Sequence, residues 1–292
     1  MATALAPLIV IVGPTASGKS SLAMSLAEQF GGEIICADSR TIYKGMDIGT
    51  AKPSAEDQAR VPHWGLDLVE PGEPFSASDF KEYANKKVAE IRARGKIPFL
   101  VGGSGLYING VIFDYQFKPE NSELRLLLEK MSIDELQKYC IENNVRLPEN
   151  EKNKRYLIRA IERNDTAITD TEALINNCII VGITTEKDIL VERIKARSEQ
   201  LFANGMVNEA KRLGDIYGWE SEAMTGNIYR LVKEFVDGKL SESELKNKFQ
   251  TSDWRLAKRQ LTWFKRNENI EWFALEKAQH YLATRLAEFV QA

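Results

Sequence analysis

Residues that bind transition metals are scarce in this sequence: its 292 residues include three cysteines and two histidines. Cys36, Cys140 and Cys178 lie far apart, and none of them forms a C-x-x-C pair. Structural zinc sites and disulfide frameworks use such residues at close, regular spacings. We therefore expect neither a zinc centre nor a disulfide framework.

Long apolar runs and an excess of one charge are also missing. No apolar run reaches the roughly 18 residues that a membrane-spanning helix needs. The opening segment MATALAPLIVIVG lacks the basic start of a signal peptide, so we expect a buried strand there and a cytoplasmic protein. The net charge of -3 argues against non-specific coating of nucleic acid, but it is compatible with local basic patches.

Apolar runs of strand length alternate with helical patterns along the chain. The runs are PLIVIVG, GEIICADS, KIPFLVGG and NCIIVGI, and helical patterns such as KSSLAMSLAEQF and SDFKEYANKKVAEIRARG lie between them. This alternation predicts an α/β fold, with a P-loop-type parallel sheet and flanking helices. Residues 116–177 interrupt it with polar helical segments, and the chain after residue 184 is predicted to be almost wholly helical. We therefore predict a first part of the core over 1–115, a helical insertion over 116–177, and the rest of the core with C-terminal helices over 178–292.

The segment GPTASGKS fits the phosphate-binding pattern G-x-x-x-x-G-K-[ST], and it lies between a predicted strand and a predicted helix. Its backbone N–H groups and the helix N-terminus face an anion, Lys19 adds a positive charge, and the Ser20 hydroxyl can bind Mg²⁺. The alternative is a glycine turn that only connects strand to helix. The predicted phosphate-binding residues are Gly13, Pro14, Thr15, Ala16, Ser17, Gly18, Lys19 and Ser20.

One acidic residue stands where a metal-binding or catalytic carboxylate is usual in this class of fold. Asp38 ends the predicted strand EIICA, whereas Asp47 in the following loop is a weaker candidate. A turn or helix cap is the alternative interpretation of Asp38.

Five ordered motifs carry a resemblance that is more specific than the phosphate loop. GPTASGKS, ADSRTIYKGMDIGTAKP, VPHWGLD, FLVGGSGLYI and RLAKRQLTWFKR resemble the motif set of tRNA dimethylallyltransferases and span residues 13–266. This resemblance implies transfer of a dimethylallyl group from dimethylallyl diphosphate to N6 of the adenosine adjacent to the anticodon.

The resemblance also implies chemical roles. The loop would hold the diphosphate leaving group, with Lys19 and a Mg²⁺ ion on Ser20 stabilising its developing charge. Asp38 would accept a proton from N6. Ser104, in GGSGLY, would contact the target base, although a helix N-cap explains this serine equally well. Arg193 and Arg197 lie on one face of the helix after CIIVGI. Both are expected to close over the diphosphate, and a solvated helix face is the alternative.

The same resemblance implies tRNA contacts, which we expect from the insertion and from the residues around Asp38. Two of these positions depart from the family: Thr41 stands where glutamine is frequent, and Tyr156 stands where arginine is common. For Tyr156 we expect a core aromatic rather than a base-stacking role. Ile228 precedes Tyr229 where the family usually has glycine, so no catalytic role is carried over there. The implied contacts are Asp38, Ser39, Arg40, Thr41, Ser104, Arg125, Arg155, Tyr156, Leu157, Ile158 and Arg159.

A basic helix near the end of the chain adds a further candidate RNA surface. In WRLAKRQLTWFKR the cations Arg255, Lys258 and Arg259 recur at helical spacing, together with Lys265 and Arg266, opposite an apolar stripe. Five cations without an acid suit a phosphate backbone. The alternative is a solvated face over a packed helix.

Three other functions remain open from the residues. An adenylate isopentenyltransferase would prenylate a free nucleotide, a P-loop kinase or NTPase would turn over ATP, and an inactive tRNA-binding module would do neither. Intact Lys19, Ser20 and Asp38 argue against the last. We expect a monomer that binds the tRNA anticodon stem-loop and dimethylallyl diphosphate.

Overall fold

The computed structural model describes residues 5–117, 122–148, 150–163 and 173–291. The chain divides into two compact units, one from Met1–Asp114 and Leu174–Ala292 and one from Tyr115–Ala173. Among the described residues, none of the helices combines the length and apolar character that crossing a bilayer requires.

The first unit contains a six-stranded sheet in which every pair of neighbours is parallel, in the order β3-β2-β4-β1-β5-β6. This confirms the predicted α/β class with a parallel sheet. The strands are β1 (Leu8–Val12), β2 (Gly32–Ala37), β3 (His63–Trp64), β4 (Ile97–Gly102), β5 (Cys178–Thr184) and β6 (Glu271–Ala274).

The helices begin and end at residues that favour such boundaries. Helix α1 follows Gly18 and stops at Gly31, both in the left-handed region, and α3, α6 and α11 each start with a serine capping box. The helices are α1 (Lys19–Phe30), α2 (Ala55–Arg60), α3 (Ala77–Ala93), α4 (Gly105–Ile112), α5 (Ser122–Leu128), α6 (Ile133–Glu142), α7 (Lys154–Arg163), α8 (Lys187–Ala203), α9 (Met206–Tyr217), α10 (Asn227–Val236), α11 (Glu242–Phe264) and α12 (Leu275–Gln291), with a 3₁₀ turn at Ala223–Thr225.

The sheet is buried on both faces, as the continuous apolar strands predict. Ile9, Ile11 and Val101 pack with α1 and α12 on one face. Helices α3 and α4 also contact β4. The loop after β2 packs against α9, α10 and α11 in a second core that contains Tyr43, Met46 and Tyr229. This second core holds the loop that begins at Asp38.

Two short strands were missed by the sequence pattern. β6 pairs with β5, so the prediction that the chain after residue 184 is almost wholly helical is wrong at Glu271–Ala274. Its four residues are half exposed, which leaves too short an apolar run to indicate a strand. β3 has two residues and gives no periodic signal.

The second unit has its own apolar core, formed by α5, α6 and α7 around Leu128, Leu136 and Leu157. The sequence placed a helical insertion at 116–177, and residues 118–121, 149 and 164–172 of that range lie outside the described part of the chain. The insertion's described helices bury an amphipathic face, as their spacing predicts.

Candidate active site

The phosphate loop lies at the carboxyl end of β1, in the middle of the sheet. Gly13, Ala16 and Gly18 have φ of 154°, 62° and 93°. An added Cβ at Gly18 would stand 2.9 Å from Leu275, so this position tolerates little more than glycine. Ala16 is one of the described non-glycine residues in the left-handed region, which costs on the order of 1–2 kcal/mol and is typical of functional loops.

One buried hydroxyl in this loop has no hydrogen-bond partner within the described structure. Ser17 Oγ is fully buried, while the Ser17 backbone N–H donates to Pro14 O at 3.2 Å. An unsatisfied buried hydroxyl is costly unless a ligand supplies its partner. The loop is therefore chemically suited to an anion with several oxygen atoms.

Three charged groups interact at the mouth of the loop. Lys19 Nζ donates to Pro14 O at 3.0 Å. Burial lowers the pKa of Lys19 to about 8, the carboxylate of Asp38 opposes this shift, and the guanidinium of Arg197 adds to it. A lysine beside one anion and one cation gains a further favourable contact when a second anion arrives.

Arg197 is held by an acidic residue that the sequence analysis did not single out. Its Nη1 lies 2.5 Å from Asp253 Oδ2, between α8 and α11. Burial raises the pKa of Asp253, although Arg197 draws it back. On the same helix, Arg193 donates to Ser17 O at 3.3 Å. The solvated-face interpretation is therefore wrong for Arg197, whereas Arg193 is exposed although it is bonded to the phosphate loop.

Asp38 lies at the carboxyl end of β2 and closes a tight turn. Its Oδ1 accepts from Arg40 N at 2.8 Å, and the Thr41 hydroxyl donates to Asp38 O at 3.4 Å. Arg40 donates through Nη1 to Glu222 O and through Nη2 to Thr225 Oγ1, at 2.8 Å and 3.2 Å. Asp38 thus caps a turn and at the same time interacts with Lys19.

Thr41 requires a correction to the expected tRNA contacts. Its side chain is buried, with 5% of the residue exposed, and its hydroxyl bonds to the turn itself. A direct contact of this side chain with a base is excluded in this conformation. Thr41 instead stabilises the turn that presents Asp38 and Ser39.

Ser104 stands at the carboxyl end of β4, next to β2 in the sheet. It occupies the N-cap position of α4, as the alternative interpretation expects, yet its side chain makes no cap hydrogen bond. Its Oγ accepts from Ser39 N at 3.0 Å. A hydroxyl that accepts one hydrogen bond retains its own O–H to donate, and Ser104 therefore links the Asp38 turn to the turn that follows β4.

The loop after Asp38 is anchored by two residues that the sequence analysis missed. Glu209 is buried and accepts from the backbone N–H groups of Asp47, Ile48 and Gly49 at 2.7–2.9 Å, and Tyr229 OH donates to it at 2.9 Å. The signal was available, since Glu209 occupies an apolar position of the α9 pattern between Met206 and Leu213. Asp47 pairs with the buried Lys52 at 2.6 Å.

Helix α11 presents the predicted basic face to solvent. Arg255, Lys258 and Arg259 are exposed, as are Lys265 and Arg266, while Ala257 and Phe264 are buried. Lys258 lies 5.4 Å from the centroid of the Trp254 ring. The cations and the apolar stripe therefore occupy opposite sides of the helix, as the spacing predicts.

In the second unit, the predicted contact residues divide into exposed and buried side chains. Arg155 and Tyr156 are exposed, and Tyr156, at 52% exposure, is not the core aromatic that we expected. Leu157 and Ile158 are buried in the unit's own core, so the expectation that their side chains contact tRNA is wrong. They fix the helix that presents the exposed pair.

Two arginines of this unit share one buried acid. Arg159 Nη1 lies 2.7 Å from Glu162 Oε2, and Arg125 Nη1 lies 3.7 Å from Glu162 Oε1. Arg125 also pairs with Glu129 at 3.1 Å, and its side chain is mostly buried. These pairs position both guanidinium groups at α7, and a contact with tRNA remains a prediction for them.

The residues present fit a Mg²⁺ ion that is bound together with the substrate. Ser20 is exposed at the start of α1. In the described ranges, no three histidine, cysteine or acidic side chains cluster to form a protein-only site. Mg²⁺ keeps several waters and takes one or two protein oxygens together with substrate phosphates. A hydroxyl beside a phosphate loop is such a donor.

Comparisons with known proteins agree on one family. The family model described as IPP transferase matches residues 41–267. A tRNA dimethylallyltransferase of Anoxybacillus flavithermus is 38% identical over 278 residues, which cover 91% of this chain and 89% of that protein. The protein of that name from Bacillus subtilis is 34% identical over 283 residues, covering 91% and 90%.

Solved structures give the same result. The full-length tRNA isopentenylpyrophosphate transferase of Bacillus halodurans superposes with a TM-score of 0.74 at 33% identity, covering 98% of both chains. A eukaryotic dimethylallyltransferase acting on tRNA superposes with a TM-score of 0.76 over 92% of this chain and 74% of that one; its 22% identity supports the fold alone.

Proposed function

This chain belongs to the IPP transferase family, and we propose that it transfers the dimethylallyl group of dimethylallyl diphosphate to N6 of the adenosine adjacent to the anticodon in tRNA. Membership makes the protein an enzyme, a prenyltransferase that acts on tRNA. The observation that supports the finer proposal is the phosphate loop at the carboxyl end of β1, where the Ser17 hydroxyl is buried without a hydrogen-bond partner among the described residues and Lys19 Nζ donates to Pro14 O.

We assign the leaving group to the phosphate loop. The backbone N–H groups at the start of α1, the buried Ser17 hydroxyl and Lys19 would surround the diphosphate. Arg197 would add a second positive charge from α8. A Mg²⁺ ion on Ser20 would neutralise further charge on the diphosphate when bound.

We assign proton transfer to Asp38. The N6 lone pair forms the new bond to C1 of the dimethylallyl group, the C1–O bond breaks, and its electron pair leaves with the diphosphate. The N6 proton passes to the Asp38 carboxylate, whose turn is fixed by Arg40 N and by Ser104 through Ser39. Ser104 would donate its hydroxyl to the target base.

The tRNA contacts are assigned to exposed cations and to one exposed aromatic. On α11 these are Arg255, Lys258 and Arg259, and on α7 they are Arg155 and Tyr156. Adenine N6 is accessible only when the base leaves the anticodon stack, which costs a few kcal/mol. Contacts with the surrounding backbone phosphates would offset that cost.

The test is a product analysis with labelled dimethylallyl diphosphate and Mg²⁺. An anticodon stem-loop and AMP are offered in parallel, and the nucleosides are identified by mass. Label on the stem-loop adenosine alone supports the proposal. Label on AMP at a matching rate indicates an adenylate isopentenyltransferase, and ATP turnover without any label indicates a kinase or NTPase.

Neutralising the basic face of α11 is expected to weaken tRNA binding in a salt-dependent way. Glutamine at Arg255, Lys258 and Arg259 removes up to three phosphate contacts, so the slope of log K against log salt concentration is expected to fall by about 2. The measurement is a tRNA titration over a range of salt concentrations.

The matched control places glutamine at Lys86, Lys277 and Arg285, which are exposed on α3 and α12. It removes the same net charge from helices that carry no predicted contact. An equal loss of slope in both triple variants would mean that total charge, and not the α11 face, determines binding.

A further inference from the structure

One uncharged side chain of α11 bonds to the phosphate loop itself. Gln260 Oε1 accepts from Thr15 N at 2.8 Å, and Gln260 Nε2 donates to Gly103 O at 3.2 Å. Thr15 belongs to the loop that would hold the diphosphate, and Gly103 immediately precedes Ser104. A single planar amide therefore joins the phosphate loop, called the diphosphate cradle below, to the turn after β4.

The contact between α11 and this turn is close along its length. A Cβ added at Gly103 would stand 2.2 Å from Gln260 Nε2, and one added at Gly105 would stand 2.2 Å from Trp263 Cδ1. Such distances leave no room for a side chain at Gly103 or Gly105. The helix face formed by Gln260 and Trp263 thus lies directly on the backbone of residues 103–105.

Hydrogen bonds continue from this turn to the catalytic turn. Ser104 N donates to Ala37 O at 3.2 Å, and Ser104 Oγ accepts from Ser39 N at 3.0 Å. Asp38 lies between those two partners. A displacement of Gln260 therefore reaches both the diphosphate cradle, through Thr15, and the Asp38 turn, through Gly103 and Ser104.

The outer side of the same helix carries the cations assigned to tRNA. Arg259 directly precedes Gln260 in sequence, and Lys258 and Arg255 are exposed on α11. A rigid helix that is bonded to the cradle on one side and to RNA on the other transmits the position of one ligand to the other.

We propose that Gln260 is a positioning residue that fixes the diphosphate cradle against the catalytic turn and couples tRNA binding on α11 to binding of dimethylallyl diphosphate. This inference rests on the proposed function for the identity of the two ligands. Glutamine suits the role because its amide provides an acceptor for Thr15 N and a donor for Gly103 O on one rigid group.

Two substitutions separate the parts of this role. Gln260→Met keeps the length of the side chain but removes both hydrogen bonds. Gln260→Glu keeps an acceptor for Thr15 N, loses the donor to Gly103 O, and brings a negative charge to the cradle. Gln250→Met is the matched control. It makes the same change on the same helix, and Gln250 takes part in none of the hydrogen bonds described above.

Binding of dimethylallyl diphosphate is measured by calorimetry with and without the stem-loop, and KM and kcat are measured for each substrate. For Gln260→Met we expect about a tenfold rise in the dissociation constant of the diphosphate, with tRNA affinity within about twofold, because two hydrogen bonds are lost at the cradle alone. We also expect the stem-loop to stop enhancing diphosphate binding. Gln260→Glu is expected to bind the diphosphate more weakly than Gln260→Met, with a larger salt dependence.

Several outcomes would overturn the proposal. Unchanged diphosphate binding and kcat in Gln260→Met would reduce Gln260 to a space-filling residue, and tighter binding would mean that its Oε1 competes with the substrate for Thr15 N. Equal losses of diphosphate and tRNA affinity, or an equal effect of Gln250→Met, would indicate general disturbance of α11, which melting temperatures also report. If the unmodified protein transfers no label to the stem-loop while Gln260→Met still weakens diphosphate binding, the proposed function fails and the positioning role stands.

Discussion

Replacing Asp38 by asparagine is expected to lower kcat for prenyl transfer by about 10²–10⁴-fold, the usual contribution of a general base. Asparagine has the same shape and still accepts from Arg40 N, so the turn is retained. The variant loses the ability to take the N6 proton. We therefore expect tRNA affinity to stay within about threefold, measured by titration alongside single-turnover rates.

The charge of Asp38 also affects Lys19, and the experiment must separate the two effects. Asp38 raises the pKa of Lys19, so its removal is expected to lower that pKa further below about 8. Rates are therefore compared near pH 7, where Lys19 retains more of its charge. Asp47→Asn is the matched control, because Asp47 is an exposed acid of the same loop that pairs with Lys52. A large loss of tRNA affinity in Asp38→Asn, or an equal loss of rate in Asp47→Asn, would show that Asp38 is not the general base.

The residues that the sequence located well are those at the ends of strands. Asp38, Ser104 and the phosphate loop each follow an apolar run, and parallel strands bring their carboxyl ends to one edge of the sheet. The local sequence pattern is sufficient to locate these residues, because the three strands that they follow, β2, β4 and β1, are neighbours in the sheet. The fold class and the family followed from the same segments.

The residues that hold the site in shape were not predictable in the same way. Gln260, Glu209 and Asp253 act through partners that are 56 to 245 residues away in the chain, at Thr15, at Asp47–Gly49 and at Arg197. Helical periodicity marks Glu209 and Asp253 as polar residues at buried positions, but it cannot name a partner. Those pairings exist only after the helices pack.

On α7, a match to the family's tRNA-contacting stretch did not show which residues face solvent. Leu157 and Ile158 lie within a stretch matched to tRNA contacts, yet the 3.6-residue period turns them toward the core and turns Arg155 and Tyr156 outward. Tyr156 was expected inside because aromatic residues usually pack there. The helical period therefore predicts which residues of α7 are exposed, whereas the residue type alone does not.

Replacing Lys19 by methionine is expected to lower kcat/KM for dimethylallyl diphosphate by about 10²–10³-fold, because it removes a positive charge from the place where negative charge develops on the leaving group. Lys86→Met, an exposed lysine of α3, is the control for loss of a charge. If Lys19→Met retains both diphosphate affinity and rate, Lys19 of this loop does not stabilise the leaving group.

The pH dependence gives a second, independent measurement on the same lysine. Since burial lowers the pKa of Lys19 to about 8, the charged form that binds the diphosphate predominates below that pH and is lost above it. We therefore expect kcat/KM to be level below about pH 8 and then to fall, approaching tenfold for each further pH unit, in assays between about pH 7 and pH 9. This fall should disappear in Lys19→Met, which has no proton to lose, and in Lys19→Arg, whose guanidinium stays charged. In Asp38→Asn, diphosphate binding should begin to weaken at a lower pH than in the unmodified protein, because the carboxylate that sustains the charge of Lys19 is gone. A fall that persists unchanged in Lys19→Met would mean that another residue titrates, and stabilisation of the leaving group would then be assigned to Arg197.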